Sequence, residues 1–189
     1  MRSKPSPTSN ALRVIAGTLR HRRFQTVGHG GTRETKDAVK EALFNALGHK
    51  VRDANVLDPF AGSGALIIEA FSRGAKTLKA IEKDPKAFRV MHQNFALLNV
   101  PVTTLKGDAI THLKHCDERF DVIFLDPPYD ADLLEPVLTL IEQQALLKDE
   151  GCILVLHERD FVAPKSFVIT KEKRYGRTRT TTLERKHAI

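Results

Sequence analysis

Val56-Leu57-Asp58-Pro59-Phe60-Ala61-Gly62-Ser63-Gly64-Ala65 decides the fold of this chain. A short apolar strand runs into an acid, then a glycine-bearing loop, then a helical pattern over 65–71 that Arg73-Gly74 ends. Glycine lets a backbone turn tightly and approach a ligand closely, and a helix N-terminus offers free N–H groups and partial positive charge. Such a strand–loop–helix unit opens a parallel α/β sheet, in which ligands bind at the carboxyl ends of the strands near the switch in strand order. The loop is not the GxGxxG of a dinucleotide fold, because Ile67 stands at the third glycine position, and it lacks the Lys-Ser/Thr of a phosphate loop. A ligand with a carboxylate and a ribose is therefore expected rather than a pyrophosphate.

Downstream the alternation continues. The patterning predicts strands over 77–81, 102–105, 122–125 and 153–156, and helices over 85–98, 109–113 and 133–147. Pro85 suits the first position of its helix, and Gly151 ends the connection after the third. A final hairpin over 167–175 and 177–184, turned at Gly176, places one antiparallel strand in the sheet. Upstream, 12–27 reads as two short strands with a turn near Gly17 or Arg20. Gly28-His29-Gly30-Gly31 reads as a loop, and Thr35 or Asp37 caps a helix ending at Leu47 before Gly48. The expected architecture is α/β: a Rossmann-like, seven-stranded, mostly parallel sheet with helices on both faces, preceded by a small β-hairpin plus helix.

Four consecutive strands of the alternating region end in an acid: Asp58, then Glu82 followed by Lys83 and Asp84, then Asp108 followed by Ala109, then Asp126. Glu82, about 20 residues past the glycine loop, is placed to accept from ribose hydroxyls, with Asp84 in reserve. Asp108 is placed to accept from an adenine amino group, with Ile81 against the ring. The fourth strand ends in Asp126-Pro127-Pro128-Tyr129. The second proline fixes its own φ and restricts the residue before it, so the motif makes a stiff polar rim. The Asp126 carboxylate and the Pro127 carbonyl then face one small pocket, with the Tyr129 ring to close it. That pocket suits a planar base with an exocyclic amine.

The 189 residues suffice for one domain with an appendage, and carry a net charge of +7. The charge is clustered. Residues 1–31 hold Arg2, Lys4, Arg13, Arg20, Arg22 and Arg23 without an acid, and the tail holds Lys165, Lys171, Lys173, Arg174, Arg177, Arg179, Arg185 and Lys186. Clustered basic charge around a neutral body is the footprint of a polyanion binder. No stretch is apolar enough to span a bilayer, and no apolar segment follows the basic N-terminus to make a secretory signal. Two isolated cysteines, Cys116 and Cys152, suggest neither a disulfide framework nor a zinc site; both read as packing residues in a cytoplasmic protein, and no histidine shows metal-ligand spacing. His157-Glu158-Arg159 closes a strand near the crevice, where Glu158 either borders the base pocket or forms a structural ion pair. Phe95, beside Asn94, reads as core.

With these residues in place, the chain resembles the class I S-adenosylmethionine-dependent methyltransferases, over about 51–185. Arg13-Val14-Ile15-Ala16-Gly17 and the run from Arg33 through Asp37 to Asn45 are similar to the RsmD-type small-subunit (16S) ribosomal RNA guanine-N2 methyltransferases, as is Lys173-Arg174-Tyr175-Gly176-Arg177-Thr178. The family often has Arg-Pro-Thr-Thr-Asp where this chain has Arg33-Glu34-Thr35-Lys36-Asp37. The resemblance implies S-adenosyl-L-methionine as cofactor. Asp58, Pro59, Phe60 and the Ala61-Gly62-Ser63-Gly64 loop would face its methionine portion, Glu82 with Lys83 its ribose, and Asp108-Ala109 its adenine, while Thr35 would cover the site. Asp126, Pro127, Pro128 and Tyr129 would form the catalytic pocket. Arg13, Arg20, Arg22, Arg23, Lys173, Arg174, Arg177 and Arg179 would hold RNA phosphates. The implied organisation is a disordered basic tail over 1–10, a hairpin and helix extension over 11–48 and a methyltransferase domain over 49–189. A monomer acting on ribosomal RNA, free or in the small subunit, is expected. A DNA adenine-N6 or cytosine-N4 methyltransferase and a non-catalytic RNA-binding assembly factor are the alternatives.

Overall fold

The computed structural model describes residues 11–27, 37–128 and 132–186. The expected tail over 1–10, the glycine loop over 28–31, Thr35 and Tyr129 lie outside the described residues. Two strands, β1 (Ala11–Arg13) and β2 (Arg23–Gln25), pair antiparallel and lead to α1 (Asp37–Leu47), which passes through a 3-10 turn (Gly48–Val51) into the sheet. The sheet elements follow as β3 (Asn55–Asp58), α2 (Ala65–Ser72), β4 (Thr77–Glu82), α3 (Pro85–Leu98), β5 (Thr103–Lys106), α4 (Ala109–Lys114), β6 (Phe120–Leu125), α5 (Leu134–Gln143), β7 (Leu147–His157), β8 (Phe167–Tyr175) and β9 (Thr178–Arg185). The seven-stranded order is β5-β4-β3-β6-β7-β9-β8. Pairing is parallel from β5 to β7 and antiparallel on both sides of β9.

Alternate residues of the central strands feed two apolar clusters, one on each face, as a sheet covered on both sides requires. Val56, Val122, Phe124, Cys152, Leu154 and Leu156 join one cluster; Leu57, Ile123, Leu125, Ile153 and Val155 join the other. The first face is covered by α1, α2 and α3 through residues such as Leu43, Phe44, Ile67, Met91 and Phe95, and the N-terminal hairpin adds Val14 and Phe24 to the same cluster. The second is covered by α4 and α5 through Leu113, Val137, Leu138 and Ile141.

The helix expected over 133–147 stops at Gln143, and the strand expected over 153–156 begins at Leu147. Ala145 turns the chain with φ +51°, and Leu147 pairs with Phe120. The register then shifts so that Val122 pairs with Cys152, leaving a bulge on β7. Gly151 lies inside this strand rather than ending the connection. A Cβ there would lie 2.9 Å from the Asp121 carbonyl oxygen, so glycine lets the bulge close against β6.

Candidate active site

Strand order reverses between β3 and β6, the neighbours at the centre of the sheet. In an open α/β sheet the crevice outside the carboxyl ends at such a switch is the ligand site. Asp58 ends β3 and Asp126 follows β6, so the crevice is flanked by two acids far apart in the chain. Asp58 is 1% exposed and accepts the Phe60 N–H at 3.0 Å, a short turn that shapes the start of the loop. Burial pushes its carboxyl up to about 8; the Phe60 hydrogen bond opposes this, and the Asp126 and Glu82 charges add to it. Both lie near enough to Asp58 for their charges to act on it.

The glycine loop is held from several sides. Ala61 N–H donates to the Ile81 carbonyl at 3.0 Å, and Gly64 N–H to the Ala61 carbonyl at 2.7 Å. Glu82 takes the Gly62 N–H on one oxygen and the Asp84 N–H on the other, each at 2.7 Å. A carboxylate has about four lone-pair sites, so Glu82 braces the loop and keeps acceptor capacity toward the crevice. Gly62 and Gly64 both have positive φ, +54° and +85°, but their surroundings differ. A Cβ on Gly62 would meet nothing within 4 Å, whereas one on Gly64 would strike the Phe95 ring at 2.6 Å. Gly62 thus leaves bare backbone facing open space, and Gly64 lets α3 pack on the loop. Pro59 is buried and Phe60 half-buried against the second cluster.

The remaining strand-end residues are placed as follows. Asp84 caps α3 by accepting Ala87 N–H at 2.7 Å. Asp108 caps α4 through Thr111 N–H at 3.1 Å, beside the buried Ala109, and Lys83 Nζ lies 4.0 Å from its other oxygen. Ile81 is 1% exposed in the second cluster, so the ring contact expected of it is not presented to solvent. Beyond Asp126, Pro127 is buried and Pro128 exposed. They border a cavity of about 380 Å³ whose other walls include Leu156, His157, Glu158 and Phe161. The size suits a single planar ring system with its sugar. Glu158 lines this cavity. Desolvation lowers the pKa of His157, which sits 2.7 Å from Thr181 Oγ1 and 2.8 Å from the Arg159 carbonyl, with the Phe161 ring edge-on at 4.8 Å.

The register carries the closing hairpin to the same rim. His157 at the end of β7 pairs with Arg179 near the start of β9, and Arg174 pairs with Arg179 across the hairpin. Lys173, Arg174 and Arg177 accordingly lie at the carboxyl edge of the parallel strands and are exposed. Arg179 is tied down by Asp160 at 2.6 Å, and Arg13 by Asp37 at 2.9 Å, whereas Arg20, Arg22 and Arg23 are exposed on the N-terminal hairpin. Among the described residues no group of three or more His, Cys, Asp or Glu side chains is placed to hold a metal ion, and no helix is long and apolar enough to cross a membrane.

Two polar residues that sequence patterning missed hold the N-terminal hairpin. Glu69 on α2 accepts Ile15 N–H at 2.9 Å and Ala16 N–H at 3.0 Å. Asn94 on α3 joins the hairpin to the glycine loop. The one signal for either is a polar residue on an otherwise apolar helix face.

The family model described as "Conserved hypothetical protein 95" matches residues 12–184. The ribosomal RNA small subunit methyltransferase D of Haemophilus influenzae is 34% identical over 183 residues, covering 92% of this chain and 95% of that protein. Its Escherichia coli K12 namesake is 34% identical over 172 residues, covering 89% and 87%. The solved structure of the Escherichia coli protein yhhF superposes with a TM-score of 0.85 at 32% identity, covering 93% of this chain and 98% of that one. With the glycine loop, the four strand-end acids and the Asp-Pro-Pro rim on one sheet edge, the chain belongs to this family, the RsmD-type methyltransferases.

Proposed function

We propose that this protein uses S-adenosyl-L-methionine to methylate the exocyclic N2 amine of a guanine in small-subunit ribosomal RNA. The observation that carries the reading is the meeting of Asp58, Glu82 and Asp126 at the strand-order switch, beside the cavity bordered by Pro127 and Pro128. The names of the Haemophilus influenzae and Escherichia coli relatives support ribosomal RNA as the substrate class.

The residues present fit such a cofactor. Gly62 leaves room for close approach, and acids surround the crevice, which suits a cation bearing hydroxyls. Asp58 and the 59–64 loop would hold the methionine portion, Glu82 the ribose, and Asp108-Ala109 the adenine. The cofactor supplies an electrophilic methyl on a sulfonium when bound. The protein's part is position and electrostatics. The lone pair of a guanine N2 is delocalised into the ring, so the amine is a poor nucleophile. Asp126 and the Pro127 carbonyl accept its two hydrogens and turn the lone pair toward the donor. The N2 proton leaves after transfer, to Asp126 or to water. The base must leave its stack to reach the cavity, which an unpaired RNA segment makes cheaper. Arg20, Arg22, Arg23, Lys173, Arg174 and Arg177 hold phosphates around the opening. The protein acts as a monomer in the cytoplasm, where ribosomal subunits are assembled.

The test is cofactor-dependent labelling of naked ribosomal RNA and of assembled small subunits, followed by digestion to nucleosides. N2-methylguanosine is the expected product; N6-methyladenosine or N4-methylcytidine would overturn the base assignment. Asp126→Ala lowers transfer by about 10²–10³-fold, as loss of one positioned electrostatic group does, while cofactor affinity stays close to that of the native protein. Transfer at the native rate by that variant would overturn the site.

A further inference from the structure

The N-terminal hairpin and the glycine loop are joined through one buried side chain. Asn94, on α3, is 1% exposed. Its Oδ1 accepts the Gln25 N–H at 2.9 Å, and its Nδ2 donates to the Gln25 carbonyl at 2.8 Å. The same Nδ2 donates to the Ser63 carbonyl, also at 2.8 Å. An amide nitrogen carries two hydrogens, so both are committed, one to the hairpin and one to the loop. The neighbouring turn of α3 presses on the same loop, since Phe95 and Met91 fill the space that a Cβ on Gly64 would need. Gln25 closes the strand that carries Arg23 and follows the exposed Arg20 and Arg22.

We infer that Asn94 is a positioning residue that couples RNA binding on the N-terminal hairpin to cofactor binding on the glycine loop, so that each ligand tightens the other. The inference rests on the functional reading above. If the hairpin lifts, Asn94 loses its acceptor and one donor contact together, and a buried amide left half-paired is costly. The side chain then swings to find partners and releases the Ser63 carbonyl. The docked hairpin and the ordered loop therefore form one state, and the lifted hairpin and the relaxed loop another. RNA favours the first state through Arg20, Arg22 and Arg23, and the cofactor favours it through Gly62 and Gly64. Linkage requires the coupling to be reciprocal.

The experiment measures the dissociation constant of S-adenosylhomocysteine by calorimetry, with and without saturating small-subunit ribosomal RNA, free or assembled, whichever the labelling assay shows to be modified. The RNA constant is measured with and without S-adenosylhomocysteine. In the native protein each ligand improves the other by the same factor, about fivefold or more. In Asn94→Ala and in Asn94→Asp, which keeps the acceptor but not the donor, both ratios fall to within about twofold of unity, and each variant is checked for a native-like melting transition. A role confined to stability would lower the melting temperature and leave the ratios unchanged, which would overturn the inference. Equal affinities with and without the second ligand in the native protein would overturn it without touching the functional reading. Failure of the native protein to bind either ligand would overturn both.

Discussion

Asp58 and the two positive-φ glycines show how single residues divide the work of the site. The Asp58 carboxyl is pushed from its usual 3.8 to about 8, chiefly by burial. Between those values the folded chain binds the proton that the unfolded chain has released, so the unfolding free energy contributed by this group falls as pH rises from about 4 to about 8. Asp58→Asn keeps an acceptor for the Phe60 N–H and never ionises. In denaturant unfolding at a series of pH values the variant gains on the native protein across that window, by up to about 1.4 kcal/mol per pH unit. A difference that stays flat with pH would show that Asp58 is not a buried neutral acid. The glycines separate in the same way. Gly64→Ala must displace Phe95 and adopt φ +85°, costing about 1–3 kcal/mol in melting experiments. Gly62→Ala meets open space and costs the fold about 1 kcal/mol, but weakens cofactor binding by about tenfold in calorimetry because the methyl group occupies the approach to the loop.

Among elements, the docking of the N-terminal hairpin on α2 rests on a close backbone approach. Gly17 has φ +83°, and a Cβ there would lie 1.8 Å from the Ser72 carbonyl oxygen. Glu69 receives the N–H groups of Ile15 and Ala16, Ser72 Oγ receives that of Leu19 at 2.9 Å, and the buried Lys40 of α1 donates to the Arg13 carbonyl at 2.9 Å. Gly17→Val lifts the hairpin and takes Val14 and Phe24 out of the first cluster, while the strands of the sheet stay paired. Trypsin cleavage at Arg20, Arg22 and Arg23 rises by about tenfold or more, since local opening governs such cleavage, with little change in far-ultraviolet circular dichroism. Unchanged cleavage would mean that the hairpin does not depend on this contact. Most element boundaries were legible in sequence because each had a local cause, such as Pro85 at the start of α3 and Gly176 at the hairpin turn. The end of α5 was not. Its chain reverses at an alanine with positive φ, which carries no glycine or asparagine signal, and Leu146 and Leu147 continue the helical spacing into the bulged start of β7.

At the scale of the whole molecule, the closing hairpin brings basic charge to the edge that carries the crevice. Lys173, Arg174 and Arg177 reach that edge because β9 runs antiparallel to β7 and returns the hairpin turn to the carboxyl ends of the parallel strands. Lys186, after the end of β9, lies at the opposite edge. If about five phosphates are neutralised at the rim, the logarithm of RNA affinity falls with the logarithm of salt concentration with a slope of about −3 to −4. Replacing Lys173 and Arg174 together by alanine shallows that slope by about 1.4, and Lys186→Ala leaves it unchanged. Equal effects at both edges, measured by fluorescence anisotropy over a salt series, would refute a single RNA-facing edge. The sequence by itself determined the alternation of strands and helices and the acid closing each central strand, because apolar period, proline, glycine and charge act over a few residues. It also assigned the Asp126-Pro127-Pro128 rim, whose stiffness is local. Only the tertiary structure decided that Asp58 and Asp126 flank the same switch point, that Asp58 is buried deeply enough to hold its proton, and that Asn94 spans the hairpin and the loop. Strand order and the burial of polar groups follow from the packing of both sheet faces at once, and no local stretch of sequence contains that information.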